Sequence, residues 1–143
     1  MKLHIITIGQ PKLEYAKMGW ELYTHRLARY HDLRITHLPD KYANNSEHIH
    51  TMAGKARIVA LVVGAPQMTS VALAESLDKR ATMGQELCFI IGGPEGLPKP
   101  VIEAADTRLG LSQLTLPHDL AMVVTAEALY RASTITAGHP YHK

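Results

Sequence analysis

The run Phe89-Ile90-Ile91-Gly92-Gly93-Pro94-Glu95-Gly96 begins as a short apolar segment and breaks into two glycines, a proline, an acid and a third glycine. Residues of these types at a strand end can hold a ligand through backbone, because glycine carries no Cβ to keep it away. Open α/β sheets bind ligands beyond the carboxyl ends of their strands, which is where this loop belongs. A tight turn with no ligand uses the same residues. Two further segments favour the ligand: Leu111-Ser112-Gln113-Leu114-Thr115-Leu116-Pro117-His118 and the polar run Gly138-His139-Pro140-Tyr141-His142-Lys143. Glu127 and Arg131 stand four apart on a helical pattern, and Glu127 lies at the edge of its apolar stripe. A carboxylate there needs a partner, so the pair reads as structural support before direct chemistry.

Other chemistries are poorly served. His48-x-His50 and His139-x-x-His142 lack the His-Glu-x-x-His pattern, and the single cysteine, Cys88, sits in an apolar run. The ligand count for a closed metal site is therefore poor, no metal is expected, and His48 and His50 read as solvated linker residues. No Gly-x-x-x-x-Gly-Lys-Ser/Thr, no Gly-x-Gly-x-x-Gly after the first strand and no Gly-x-Ser-x-Gly occurs. Those absences argue against a P-loop, a dinucleotide fold and a nucleophile-elbow hydrolase.

The elements that must position these residues follow from periodicity. Leu3–Ile8, Leu33–Leu38, Ile58–Val63, Leu87–Ile91 and Thr107–Leu111 read as strands, several of them apolar throughout as in a parallel sheet buried on both faces. Ala16, Trp20, Tyr23, Leu27 and Tyr30 form one helical stripe over Glu14–Tyr30. Thr69 or Ser70 caps a helix to about Met83, Pro100–Ala105 is a short helix, and Asp119 caps a last helix that Gly138 stops. Pro39–Ala56 is polar and reads as a linker with a short helix near Glu47–Met52. Alternating strands and helices predict one α/β domain over residues 1–143, with a mostly parallel sheet of five to six strands and helices on both faces. At 46% hydrophobic and 20% charged, the chain is built to bury a core. It has no apolar stretch long enough to span a membrane and no signal-like segment, and is expected to be soluble and cytoplasmic.

Taken in order, Ile90-Ile91-Gly92-Gly93-Pro94-Glu95-Gly96, the loop Leu111–His118, Glu127-x-Leu129-Tyr130-Arg131-Ala132 and His139-Pro140-Tyr141-His142-Lys143 resemble the ribosomal RNA large-subunit methyltransferase H family. These are small SPOUT methyltransferases, and the likeness runs from Met1 to Lys143. It implies an α/β fold with a C-terminal trefoil knot, which periodicity alone does not reveal. It further implies a homodimer, S-adenosylmethionine as methyl donor, and methylation of N3 of a pseudouridine in the large-subunit RNA of assembled bacterial ribosomes.

By position, the resemblance places the cofactor against Leu61, Gly92, Gly93, Leu111, Ser112, Gln113, Leu114, Thr115 and Leu116. Methyl transfer to a ring nitrogen needs donor and acceptor held in line and the N3 proton removed or its anion stabilised. His118, His142 and Arg131 are the available groups, Tyr141 can stack on or hydrogen-bond the base, and the tail is expected to complete the partner's site. The chain departs from the family pattern at Met122, where arginine is usual, at Val62, where aspartate is usual, and in a shortened Pro39–Ala56 segment. These departures keep a second reading open: a diverged knotted dimer that binds cofactor or RNA with weak or no activity, or methylates another RNA. The net charge of +2 fits recognition of a ribosomal surface by shape rather than of free RNA by bulk charge.

Overall fold

The computed structural model describes all residues, 1–143. Five strands, β1 (Lys2–Ile8), β2 (Asp32–Leu38), β3 (Arg57–Leu61), β4 (Leu87–Ile91) and β5 (Thr107–Leu109), form one sheet in the order β2-β1-β4-β3-β5. Every pairing is parallel. Five α-helices connect or follow them: α1 (Glu14–Leu27), α2 (Ser46–Ala53), α3 (Ser70–Thr82), α4 (Lys99–Ala104) and α5 (His118–Ala137).

Strand alternation divides the core into two layers. Leu3 and Ile5 of β1, Phe89 and Ile91 of β4 and Val59 of β3 face α1, α3 and α5, where they meet Trp20, Leu77, Met122 and Leu129. Ile6, Ile8, Cys88, Ile90 and Ile58 point the other way, onto Ile49 and Ala53 of α2 and Val101 of α4. The central strand β4 is buried along its whole length, which explains its unbroken apolar sequence. Burial also pushes the Cys88 thiol up to about 12, so it packs as an inert small apolar group.

Several expectations need correction. The first helix ends at Leu27, and Tyr30 lies beyond it, packed 6.2 Å from the Tyr130 ring. Both β3 and β5 are shorter than their apolar runs, because Val62–Val63 and Gly110–Leu111 leave the sheet, and of these Val62, Val63 and Leu111 line a cleft. Pro39–Ala56 is no loose linker. It holds a 3₁₀ turn (Asp40–Tyr42) and α2, whose start Asn45 caps by accepting the His48 N–H at 3.0 Å. His48 stacks on Tyr42 at 4.0 Å and His50 is half-buried, so neither is a freely solvated side chain. Asp119 does not cap its own helix. Its Oδ2 accepts the backbone N–H groups of Lys12 and Leu13 at 2.8 and 2.7 Å, fastening the start of α1 to the start of α5.

The chain leaving β5 passes tightly against the segment after β3. Gly110 N–H donates to the Pro66 carbonyl at 3.0 Å, and Val62 N–H donates to Leu109. From there α5 runs back beneath the sheet against α1 and α3. Its far half is held by His31, whose Nε2 lies 2.8 Å from Ser133 Oγ. The other ring nitrogen of His31 is buried without a partner, and burial pushes this imidazole down to about 4.

Candidate functional site

The carboxyl ends of β3, β4 and β5 open into one cleft. Leu61, Val62 and Val63 form one wall, Ile91 to Pro94 with Gly96 the floor, and Leu111, Ser112, Leu114, Thr115 and Leu116 the opposite wall. His118 and Ala121, from the first turn of α5, close the end. The cleft thus lies beyond the carboxyl ends of parallel strands, which is where open α/β sheets bind ligands.

Gly92 has a different use from the one its position implied. A Cβ there would lie 2.6 Å from the Gly96 carbonyl carbon and 2.7 Å from the Leu97 nitrogen. The missing side chain lets the loop fold back on itself, and Gly96 N–H donates to Gly93 O at 2.9 Å to close it. The ligand-facing backbone is thus shaped by an intraloop contact. On the opposite wall, Leu114 N–H donates to Ser112 Oγ at 3.0 Å, turning that loop over the cleft. Of the residues assigned to the cofactor, only Gln113 does not line the cleft; it is exposed.

A second cluster lies on the other half of α5. Glu127 Oε1 accepts from Arg131 Nε at 2.9 Å and from the Tyr141 hydroxyl at 3.1 Å. The Arg131 guanidinium sits 4.8 Å over the Tyr141 ring, and Tyr141 packs 4.6 Å from Tyr130. Burial, then hydrogen bonds to Tyr23 and Glu127, push the Tyr141 hydroxyl up to about 12, so it is a donor at neutral pH. Burial alone would pull Arg131 down, but the bond and charge of Glu127 and the contact with Tyr141 outweigh it and raise its pKa. The guanidinium remains a fixed cation.

Arg131 Nη1 lies 3.1 Å from His142 Nδ1. Arginine can only donate, so Nδ1 accepts and a neutral His142 carries its proton on Nε2. In this arrangement His142 presents an N–H to a substrate rather than a basic lone pair. The cluster therefore offers donors, a cation and an aromatic face: groups that stack on a base and stabilise negative charge on it.

The four residues assigned to catalysis do not meet within one chain. His118 belongs to the cleft, whereas Arg131, Tyr141 and His142 belong to the tail cluster. Thirteen residues of helix separate His118 from Arg131, about 20 Å at the α-helical rise. No group of three histidine, cysteine or acidic side chains is arranged to hold a metal. Of the two departures, Val62 lines the cleft and Met122 does not. Met122, one residue after Ala121 on α5, is fully buried in the core and not part of the cleft lining, so its apolar side chain leaves no gap in the cleft wall.

Sequence reasoning did not assign Val62, Val63, Ile91, Pro94, Gly96 or Ala121 to the cleft. The signal for the first three was available, since each adjoins a strand end already assigned to the site. Ala121 follows from the helical return of His118 by one turn.

The family model described as "Predicted SPOUT methyltransferase" matches residues 1–142. The chain belongs to the SPOUT methyltransferases. It is 52% identical to the ribosomal RNA large subunit methyltransferase H of Deinococcus deserti, over the whole length of both chains. It is 47% identical to the protein of that name from Deinococcus radiodurans and 39% identical to the one from Thermus thermophilus, covering all of this chain and 99% of each relative. Among SPOUT enzymes it is thus a member of the large-subunit methyltransferase H family. A solved structure from Neisseria gonorrhoeae, whose name assigns it to a methylase family, superposes with a TM-score of 0.55. It covers 90% of this chain and 81% of its own at 14% identity, a likeness of fold alone.

Proposed function

We propose that the protein methylates N3 of a pseudouridine in the large-subunit ribosomal RNA of assembled bacterial ribosomes, in the cytoplasm, with S-adenosylmethionine as donor. The observation that carries this reading is the division of α5 between a ligand cleft and a base-stacking, anion-stabilising cluster. The cleft suits an adenosyl group: leucines 61, 111, 114 and 116 offer flat apolar walls, and the glycine loop offers backbone donors and acceptors. The cofactor supplies an electrophilic methyl group on a sulfonium. The chain holds and orients it, takes up the N3 proton and steadies the anionic ring.

The separation of the two halves along α5 supports a homodimer in which each tail completes the partner's cleft. Tyr15, Met18 and Leu22 support it. They leave a large apolar stripe exposed on α1, at 52%, 69% and 45% of their surfaces. The close passage of Gly110 beside Pro66 supports the trefoil knot that the family resemblance implies.

The test is transfer of labelled methyl groups to bacterial ribosomes that carry pseudouridine but lack this methylation. Incorporation at a large-subunit pseudouridine is expected. A folded dimer that binds cofactor without transferring to that site would favour the diverged binder, or an enzyme for another RNA. Mixing a His118→Ala chain with a Tyr141→Phe chain should restore about a quarter to a half of the activity if each site draws on both subunits.

A further inference from the structure

Gly9 follows β1 with φ +80°, and its N–H donates to the Leu38 carbonyl at 2.7 Å, so the exits of β1 and β2 are tied together. A Cβ on Gly9 would lie 2.8 Å from Asp40 Oδ1 and 3.8 Å from His118 Nε2. Both side chains therefore point into the space that glycine leaves open, and they stand no farther apart than those two distances together. The space is well founded. Thr7 Oγ1 donates to Gly9 O at 2.6 Å and meets His37 Nδ1 at 2.5 Å, while the His37 ring packs 5.6 Å from Trp20. On the other side, the Asp119 carboxylate pins Lys12 and Leu13.

We propose that Asp40 is a positioning residue for His118: its carboxylate takes the His118 Nε2–H across Gly9, leaving Nδ1 as the lone pair that accepts the N3 proton. This rests on the methyl-transfer reading of the cleft. His118 is the only imidazole lining that cleft, and the tail imidazole, His142, has its Nδ1 occupied by Arg131. A base whose tautomer is unfixed is productive only part of the time, and a carboxylate on the far nitrogen fixes it. No hydrogen bond joins Asp40 to His118 in this conformation, and catalytic contacts of this kind tighten when the site fills.

Proton and electrons balance without a further reactant. N3 gives its proton to His118 Nδ1 and its electron pair to the methyl carbon, whose bond to sulfur breaks to leave a neutral thioether. The imidazolium then returns its proton to water. Around His118 the charged and titratable groups are Asp40 from the β2 exit, Lys12 from the β1 exit, His37 below Gly9 and Asp119 next along α5. Lys12 Nζ lies 3.8 Å from Asp40 Oδ2, leaving Oδ1 for the imidazole.

The experiment has two arms. In the complex with S-adenosylhomocysteine, 15N shifts of the His118 ring should report Nε2–H in the wild type. They should report a mixture of tautomers in Asp40→Asn, and Nε2–H again in Asp40→Glu. On ribosomes, Asp40→Asn should lower kcat about tenfold with the KM for S-adenosylmethionine unchanged, and Asp40→Glu should recover most of it. An unchanged tautomer in Asp40→Asn, or a loss that falls on cofactor affinity instead of kcat, overturns the proposal. Failure of the wild type to methylate ribosomes would sink the functional reading and leave the tautomer arm to decide the geometry alone.

Discussion

The two halves of the site are built by opposite means. The cleft at the strand ends is a product of backbone: strand ends, a loop folded on itself at Gly92, and apolar walls that ask only for shape. The tail cluster is a product of side-chain chemistry, with one carboxylate gathering a guanidinium and a phenol, and that guanidinium fixing an imidazole. Cleft walls should tolerate exchange among apolar side chains yet fail when a loop is forced open. The cluster should tolerate loose backbone and fail when a single functional group changes.

The sharpest way to break that contrast is to remove Tyr141–Lys143. Methyl transfer should fall roughly 100-fold or more while cofactor affinity, read by calorimetry, stays within about twofold. Coupled loss of cofactor binding would mean that the tail also shapes the cleft. Next in size is Gly92→Ala. Its Cβ meets main-chain atoms that cannot swing aside, so the loop must open, and the dissociation constant for S-adenosylmethionine should rise about tenfold. A protein that still unfolds at the wild-type temperature would confirm that the damage is local.

Arg131→Lys preserves the charge but not the fork that reaches Glu127 and His142 at once. It should reduce kcat by about fivefold to tenfold with cofactor binding intact, measured by single-turnover methylation. The smallest effect concerns the support two residues beyond Arg131. His31 is held neutral in the fold, so the unfolded chain takes up its proton first as pH falls. Stability from this group is complete above about 6.5 and is lost progressively down to about 4. His31→Asn should flatten that part of the melting-temperature profile by a few degrees, roughly, in calorimetry.

Sequence patterns made most of the sheet legible because β1, β3 and β4 are largely buried on both faces and rich in apolar residues; β4 begins and ends where Leu87–Ile91 predicted. The cleft was legible for a related reason, since glycines and loop polar residues stand where strands must end. The region after β2 was harder to read. Its helix α2 buries only Ile49 and Ala53, too few apolar positions to stand out from a polar segment, and Asp40 was lost with it. Asp119 misled because an acid at a helix start ordinarily caps that helix, and here the partner amides come from Lys12 and Leu13, more than a hundred residues away in the chain. Periodicity also assigned no separation between His118 and the tail, because helix length gives distance along an axis and not where the residues after Gly138 pack.

Strand β2 lies at the rim of the sheet, with seven residues of backbone paired on one side only. An open edge of that length invites another chain to add a strand. Asp32 and Arg34, both exposed, put charges of either sign along it, so a second copy docking edge to edge would have to bury them. The same short strand that frames the β1 exit thus helps keep a concentrated solution of this protein from growing into extended sheets.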